Sequence, residues 1–270
     1  MCDWDHTSTH ARRRRGRVLS GYLWLVRRVR ADSLLAERGL VASRSAAAAS
    51  IRAGLVRIGE HGPAVDKPSA MIETTADLRL AEPRRFVSRG GLKLDNALEE
   101  FGLDVSGLDC LDVGASTGGF TDCLLHRGAA RVIALDVGHG QLDWGLRGDE
   151  RVTVMERTNA RALGPGVLPY EPSLVVADVS FISLAMLIEP IASAMAPAAE
   201  LLGMVKPQFE LGPEKVGKGG VVRDAADRQA AVDSVAAAAE AAGLSVRGTA
   251  PSGLPGPKGN LETFVWARRG

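Results

Sequence analysis

The chain has 270 residues, 46% of them hydrophobic and 24% charged, which excludes a disordered or fibrous protein and suffices for one sizeable core plus a small appended domain. No apolar run reaches the roughly 18–20 residues that a membrane span needs. The three cysteines (Cys2, Cys110, Cys123) and five scattered histidines show no metal-type spacing, so reduced thiols in a cytoplasmic protein without a metal site are expected. The net charge of +1 hides an asymmetry: residues 1–90 hold 17 Lys/Arg against 9 Asp/Glu, and residues 91–270 hold 16 against 23. A basic first third on an acidic remainder reads either as a polyanion-binding module or as a solvated basic face.

Residues 1–30 read as an extension. Its apolar run Val18–Val26 lies between RRRRGR and Arg27-Arg28, with no small-residue cleavage site behind it, so a disordered or loosely helical arm is expected rather than a secretory leader. Residues 31–82 read as a small α+β domain. DSLLAERGLVASRSAAAASIRAG predicts two short helices. Asp32 is the candidate cap of the first and Gly39 its stop, Ser43 or Ser45 caps the second, and Gly54 ends it. LVRIGEHGPAVDKPSAMI then predicts short strands with tight turns. This helix–helix–strand pattern resembles the RNA-binding module named after ribosomal small-subunit protein S-four. The resemblance implies that Arg44, Arg52 and Arg57 face folded RNA, with an affinity that falls as salt rises. A generic small basic domain is the plainer alternative.

Residues 83–90 read as an interdomain linker and 91–270 as the main domain. Strands are predicted at DCLDVGA, RVIALDV, VTVME, SLVVADVSF, ELLGMVKPQ, SVRGTAP and LETFVWAR, with helices at GGFTDCLLHRG and DRQAAVDSVAAAAEAAG among those between them. Continuous apolar strands alternating with helices predict an α/β fold, a doubly wound sheet with helices on both faces. The last two strands lie close enough for an antiparallel edge hairpin, an ending typical of class I (Rossmann-like) methyltransferases.

The strongest local motif is LDVGASTGGFTDCLL. A strand ends at Asp112-Val113, Gly114 lets the backbone approach a ligand, and Ala115, Ser116, Thr117 and Gly118 lead to a helix N-terminus with free N–H groups. The next strand ends at Asp136, placed to accept from both ribose hydroxyls of a bound nucleoside, or to cap its own strand end. The loop is not G-x-G-x-x-G and no lysine follows its glycines, which counts against dinucleotides and a phosphate-cradling loop. A cofactor without phosphates, S-adenosylmethionine, fits better. Asn159 falls where the adenine would lie, and serves equally as a loop cap.

Asp178 ends the fourth strand, Lys206 ends the fifth, Glu262 opens the last, and Lys93 precedes the first. Ligands bind beyond the carboxyl ends of such strands, so Asp178 and Lys206 should point at the cofactor. Two lysines and two acids suit deprotonation of a ribose hydroxyl. A crowded or desolvated lysine serves as base, and methyl transfer then depends mainly on in-line positioning. Each residue alone reads as well as a surface ion pair.

Together VSRGGLKL, LDVGASTGGFTDCLL, ALDVGHGQLDW, ERTNAR, ADVSFISL, VKPQFE, GGVVRD and LPGPKGNLE resemble the TlyA family over about residues 30–268, hemolysin-labelled ribosomal RNA 2′-O-methyltransferases related to the FtsJ-type fold. The resemblance implies S-adenosylmethionine as cofactor and a catalytic tetrad of Lys93, Asp178, Lys206 and Glu262. It further implies cytidine 2′-O-methylation of ribosomal RNA within subunits, and a linker, with Arg84, Arg85 and Phe86, that couples RNA docking to cofactor binding. Two features depart from the family pattern: the 1–30 extension, and Thr263 where an aromatic residue is expected. Competing readings are a non-enzymatic assembly factor, a membrane-active protein working through Val18–Val26, and a pseudouridine synthase. The 111–119 loop, which pseudouridine synthesis does not need, weighs against the last.

Overall fold

The computed structural model describes residues 27–52, 54–60, 62–81 and 85–270. The Val18–Val26 run, most of the expected extension and Arg84 lie outside the described residues. The chain divides into two compact units, with the boundary between positions 83 and 84.

The first unit contains β1 (Arg28–Arg30), α1 (Ala31–Glu37), α2 (Arg44–Arg52), β2 (Val56–Ile58), β3 (Met71–Glu73) and β4 (Leu78–Leu80). β1 pairs antiparallel with β3, and β2 with β4. Leu34, Leu35, Ala47 and Ile51 of the helices bury against Val56, Val65, Ile72 and Leu78. Three local expectations meet a different or sharper outcome. Arg28–Arg30, placed in the extension from sequence, is a paired strand of this unit. Asp32 does not cap α1, whose N-cap position is Arg30. It lies inside the helix, 4% exposed, and accepts from Arg30 at 2.7 and 3.0 Å and from Arg44 at 3.4 Å. The Arg30 hydrogen bonds, with help from Arg44, hold its carboxyl well below the usual range. Ser43 is the residue that caps α2, its hydroxyl accepting from Ala46 N at 3.1 Å.

The second unit contains α3 (Arg89–Glu100), β5 (Asp109–Val113), α4 (Gly119–His126), β6 (Arg131–Leu135), α5 (Trp144–Arg147), β7 (Val152–Met155), β8 (Leu174–Ala177), α6 (Ala185–Ala194), β9 (Glu200–Val205), α7 (Pro207–Glu210), α8 (Ala225–Ala241), β10 (Leu244–Pro251) and β11 (Thr263–Arg269). The sheet order is β10-β11-β9-β8-β5-β6-β7, with β5 to β9 parallel and β10 and β11 antiparallel at one end. Every predicted strand of this unit is present, and the edge hairpin is as expected. Side chains alternate between two cores. Leu111, Val113, Ile133, Val175 and Leu201 pack with Leu187 and Ile191 of α6 and Val235 of α8. Cys110, Val132, Val176 and Leu202 pack with Leu94 and Leu98 of α3 and Leu124 of α4. Period-two alternation thus covers both faces, as a doubly wound sheet requires.

The segment before α3, expected as linker, packs into this unit. Phe86 is buried in the second core, and Val87 N donates to Asp122 of α4 at 2.7 Å. Arg85 bonds the buried Asp95, which also accepts from Arg127 at 2.7 Å. Glycine lets the starts of α3 and α4 approach: a Cβ on Gly119 would lie 2.0 Å from the Ser88 hydroxyl, and one on Gly91 would lie 2.5 Å from Phe86. This contact brings Lys93, on α3, to the end of the sheet where β5 and β8 diverge.

Candidate active site

The strand order reverses between β5 and β8, and the crevice at such a switch point collects ligands. Two connected cavities lie there, of about 540 and 380 Å³. That size suits a small-molecule ligand. Gly114, Ser116, Asp178, Ser180 and Phe181 line both and form their junction. The smaller lobe is walled by Asp136, Gly138, Gln141 and Asn159; the larger holds Lys93, Lys206, Gln208, Lys258 and Glu262.

The loop after β5 is shaped by packing as much as by any ligand. Gly114 has φ +87°, and a Cβ there would lie 2.6 Å from the Asp178 carbonyl oxygen, so glycine is needed where the β5 and β8 ends meet. Gly118, at φ +95°, lines neither cavity; a Cβ there would lie 2.3 Å from Leu146. Ala115, Ser116 and Thr117 line the larger lobe, and Ser116 holds a left-handed φ of +48°. Strain at a non-glycine residue persists where the surroundings over-determine it.

Asp136 accepts from Ser116 N at 2.8 Å and Gly138 N at 2.7 Å. Its carboxylate is thereby fixed in the smaller lobe, with lone pairs to spare for hydroxyl donors. Asn159 caps a short turn: its Oδ1 accepts from Arg161 N at 3.0 Å, which leaves its amide nitrogen for a ligand in the same lobe.

Under β5, Asp112 is fully buried and accepts from Thr121 N at 2.9 Å and from its hydroxyl at 2.7 Å, tying β5 to α4. Its other oxygen is buried without a partner. Burial pushes this carboxyl up to about 7; the Thr121 hydrogen bonds oppose the rise and the Asp178 and Asp136 charges add to it. The folded state therefore keeps a proton that the unfolded chain releases, and stability falls between about pH 4 and about pH 7, then levels. The whole component is on the order of 4 kcal/mol. Asp112→Asn should lack it, so its urea midpoint should gain on that of the wild type as pH rises from about 5 to about 8. Equal pH dependence in the two proteins would refute this.

The two lysine–carboxylate pairs differ in character. Lys93 and Glu262, 169 positions apart, form a closed ion pair with side chains only 7% and 2% exposed. Lys206 Nζ lies 2.5 Å from Asp178 Oδ1, with side chains 11% and 26% exposed. That contact lacks hydrogen-bond geometry, and Nζ instead donates to Ser180 Oγ at 2.7 Å. Asp178 Oδ1, buried at the junction of the lobes, is thus held by the Lys206 charge. Around these pairs, Glu210 accepts from Ser183 Oγ at 2.6 Å and Leu184 N at 2.7 Å, joining the chain beyond Lys206 to the loop beyond Asp178. Asn260 accepts from Val222 N at 2.9 Å and donates to Gly220 O at 2.7 Å, pinning a glycine-rich loop beside Glu262.

All four tetrad residues expected from sequence thus line one cavity. Missing from the sequence expectation are Ser180, Phe181 and Gln208. Phe181 is 92% exposed at φ +65°, its ring 5.4 Å from that of Phe209. All three stand just past the carboxyl ends of β8 and β9, the signal that would have found them. Of the expected RNA contacts, Arg44, Arg52 and Arg57 belong to the first unit and Arg85 to the second. Arg57 donates to Gly62 O at 3.2 Å, Arg52 is exposed, and Arg44 and Arg85 are engaged by Asp32 and Asp95. Among the described residues no group of His, Cys, Asp and Glu could hold a metal, no helix is long and apolar enough to cross a membrane, and Cys110 and Cys123 are free and buried.

Residues 86–269 match the FtsJ-like methyltransferase family. The chain is 50% identical over 245 residues to the 16S/23S rRNA (cytidine-2′-O)-methyltransferase TlyA of Mycobacterium tuberculosis, covering 90% of this chain and 91% of that one. It is 38% identical to hemolysin A of Brachyspira hyodysenteriae, covering 87% and 97%. A solved structure from Streptococcus thermophilus, described as a candidate hemolysin, superposes with a TM-score of 0.68 at 39% identity, covering 90% of this chain and 89% of that one. Together with the two lysine–carboxylate pairs in a crevice at the switch point of a seven-stranded sheet, these likenesses place the chain in the TlyA family of FtsJ-like methyltransferases.

Proposed function

We propose that this methyltransferase uses S-adenosylmethionine to methylate the 2′-oxygen of a cytidine in ribosomal RNA, acting on ribosomal subunits in the cytoplasm. One observation carries the reading: both lysine–carboxylate pairs line the larger lobe, and Asp178 stands at its opening to a lobe of nucleoside character. The residues present fit the cofactor. Asp136 and Asn159 would hold its nucleoside, and the Gly114–Thr117 loop would receive its amino-acid end. When bound, the cofactor supplies an electrophilic methyl group on a sulfonium.

The chain's own residues prepare the attacking oxygen. Lys206, as the free amine, receives the hydroxyl proton, and Asp178 at 2.5 Å holds the resulting ammonium. The buried Lys93–Glu262 pair walls the other side and fixes the ribose. The first unit, resembling an S-four-type module, supplies RNA affinity through Arg44, Arg52 and Arg57, and Arg84 and Arg85 add to the positive charge that RNA meets. The test is transfer of labelled methyl from S-adenosylmethionine to purified ribosomal subunits, followed by nuclease mapping. Label on a cytidine ribose is expected. Label on a base, or none despite stable subunit binding, would overturn the proposal in favour of another methylation or an assembly factor.

A further inference from the structure

Gln208 presents a polar group that nothing in the fold satisfies. It sits on α7, two positions beyond Lys206, and lines the larger lobe but not the smaller. Its Oε1 is buried and accepts no hydrogen bond. A buried carbonyl oxygen without a donor is costly, and one kept in a ligand cavity is explained by a donor that arrives with the ligand. The nucleoside of the cofactor belongs to the other lobe, beside Asp136 and Asn159. Gln208 stands two positions beyond Lys206, so the donor is assigned to the molecule whose hydroxyl proton Lys206 receives rather than to the cofactor's amino-acid end beside Ser116 and Thr117.

For a nucleotide within an RNA chain the choice of donors is short. The ribose offers only its 2′-hydroxyl, the 3′-oxygen being esterified, and that hydroxyl is the group presented to Lys206. What remains is the base edge. Cytosine carries an exocyclic amine beside an acceptor nitrogen, and a glutamine amide matches that pair: its oxygen accepts from the amine while its nitrogen donates to the ring. Uracil presents the opposite pattern, a carbonyl in place of the amine and N–H in place of the ring acceptor, and would be matched only by the amide turned over, so discrimination requires the amide held with its oxygen in the buried position it has here. A site built around a hydrogen bond rejects an analogue that lacks it far more strongly than an apolar pocket does.

Resting on the cytidine reading above, we infer that Gln208 selects the target base, its Oε1 accepting the exocyclic amine of cytosine. Gln208 is thus a specificity residue that touches substrate and leaves cofactor binding to the other lobe.

The test uses the full-length protein and subunits whose mapped target nucleotide is either C or U, with labelled S-adenosylmethionine. The rate ratio for C over U is compared among wild type, Gln208→Ala and Gln208→Glu. Wild type should prefer C, and Gln208→Ala should lower that ratio by about ten- to a hundredfold, the discrimination carried by a bidentate base contact. Gln208→Glu keeps the acceptor and should retain a larger C preference than the alanine variant. Calorimetric S-adenosylmethionine affinity, unchanged across the three, confirms that the fold is intact. A wild type that does not discriminate, or an alanine variant that slows with its C-to-U ratio unchanged, would overturn the inference while leaving the proposed reaction standing. If wild type labels no RNA, the proposed function falls first and this assignment with it.

Discussion

Lys206→Ala should lower the single-turnover rate of methyl transfer by about 10²–10⁴-fold, the range that a positioned general base contributes. The residue is placed for that effect: it ends β9 at the switch point, its side chain is 11% exposed, and its nitrogen is held between Asp178 and Ser180. Binding of S-adenosylmethionine should change little, because the nucleoside lobe does not include Lys206. The informative companion is Lys206→Arg. Arginine keeps the positive charge but is not deprotonated in proteins, so a proton-accepting role predicts a loss as deep as that of alanine. Activity largely retained in Lys206→Arg would show that charge alone is used. A loss of under about tenfold in Lys206→Ala would move the base role to Lys93.

Glu262→Ala should destabilise the methyltransferase unit by about 3–5 kcal/mol, because it leaves the Lys93 ammonium buried without its partner. Both side chains are almost fully enclosed, so water cannot replace the lost carboxylate without opening the junction of α3 with the chain entering β11. Glu262→Gln should cost less, since the amide still accepts from Lys93. The double variant Lys93→Met/Glu262→Leu should recover most of the stability, because exchanging a buried pair for apolar groups of similar volume removes both desolvation costs. Methyl transfer should nevertheless remain lost. Urea unfolding of the three variants checks the order. A double variant no more stable than Glu262→Ala would show that the site depends on the pair for its packing.

Much of this molecule is legible along the chain because its signals are local. Buried strands such as LVVA and ELLGMV read as continuous apolar runs whatever lies on either side, so their number and the α/β class follow from pattern alone. Residues at strand ends are legible for a related reason: in an open α/β sheet the ligand side is the carboxyl end, which marks Asp136, Asp178 and Lys206 before any contact is known. Long motifs carried the family reading, and the match over residues 86–269 agrees with it.

Other features depend on partners distant in sequence, and no local pattern encodes those. Asp32 resembles a helix cap by position, yet its carboxylate is taken by Arg30 and, twelve positions on, by Arg44. Gly114 resembles a ligand-approach glycine, yet the nearest obstacle is the Asp178 carbonyl, 64 positions away in the chain. Arg85, expected on an RNA-facing linker, is bonded to Asp95. That Lys93 pairs with Glu262 and Lys206 with Asp178, and not the reverse, is decided by which helix crosses which strand end. So too is the unsatisfied oxygen of Gln208, visible only once every neighbour has been placed. The sequence by itself determined the elements, their alternation and the residues available for chemistry, because periodicity and strand ends are properties of a single segment. Only the tertiary structure decided pairing and burial, because those energies arise between segments that the chain brings together on folding.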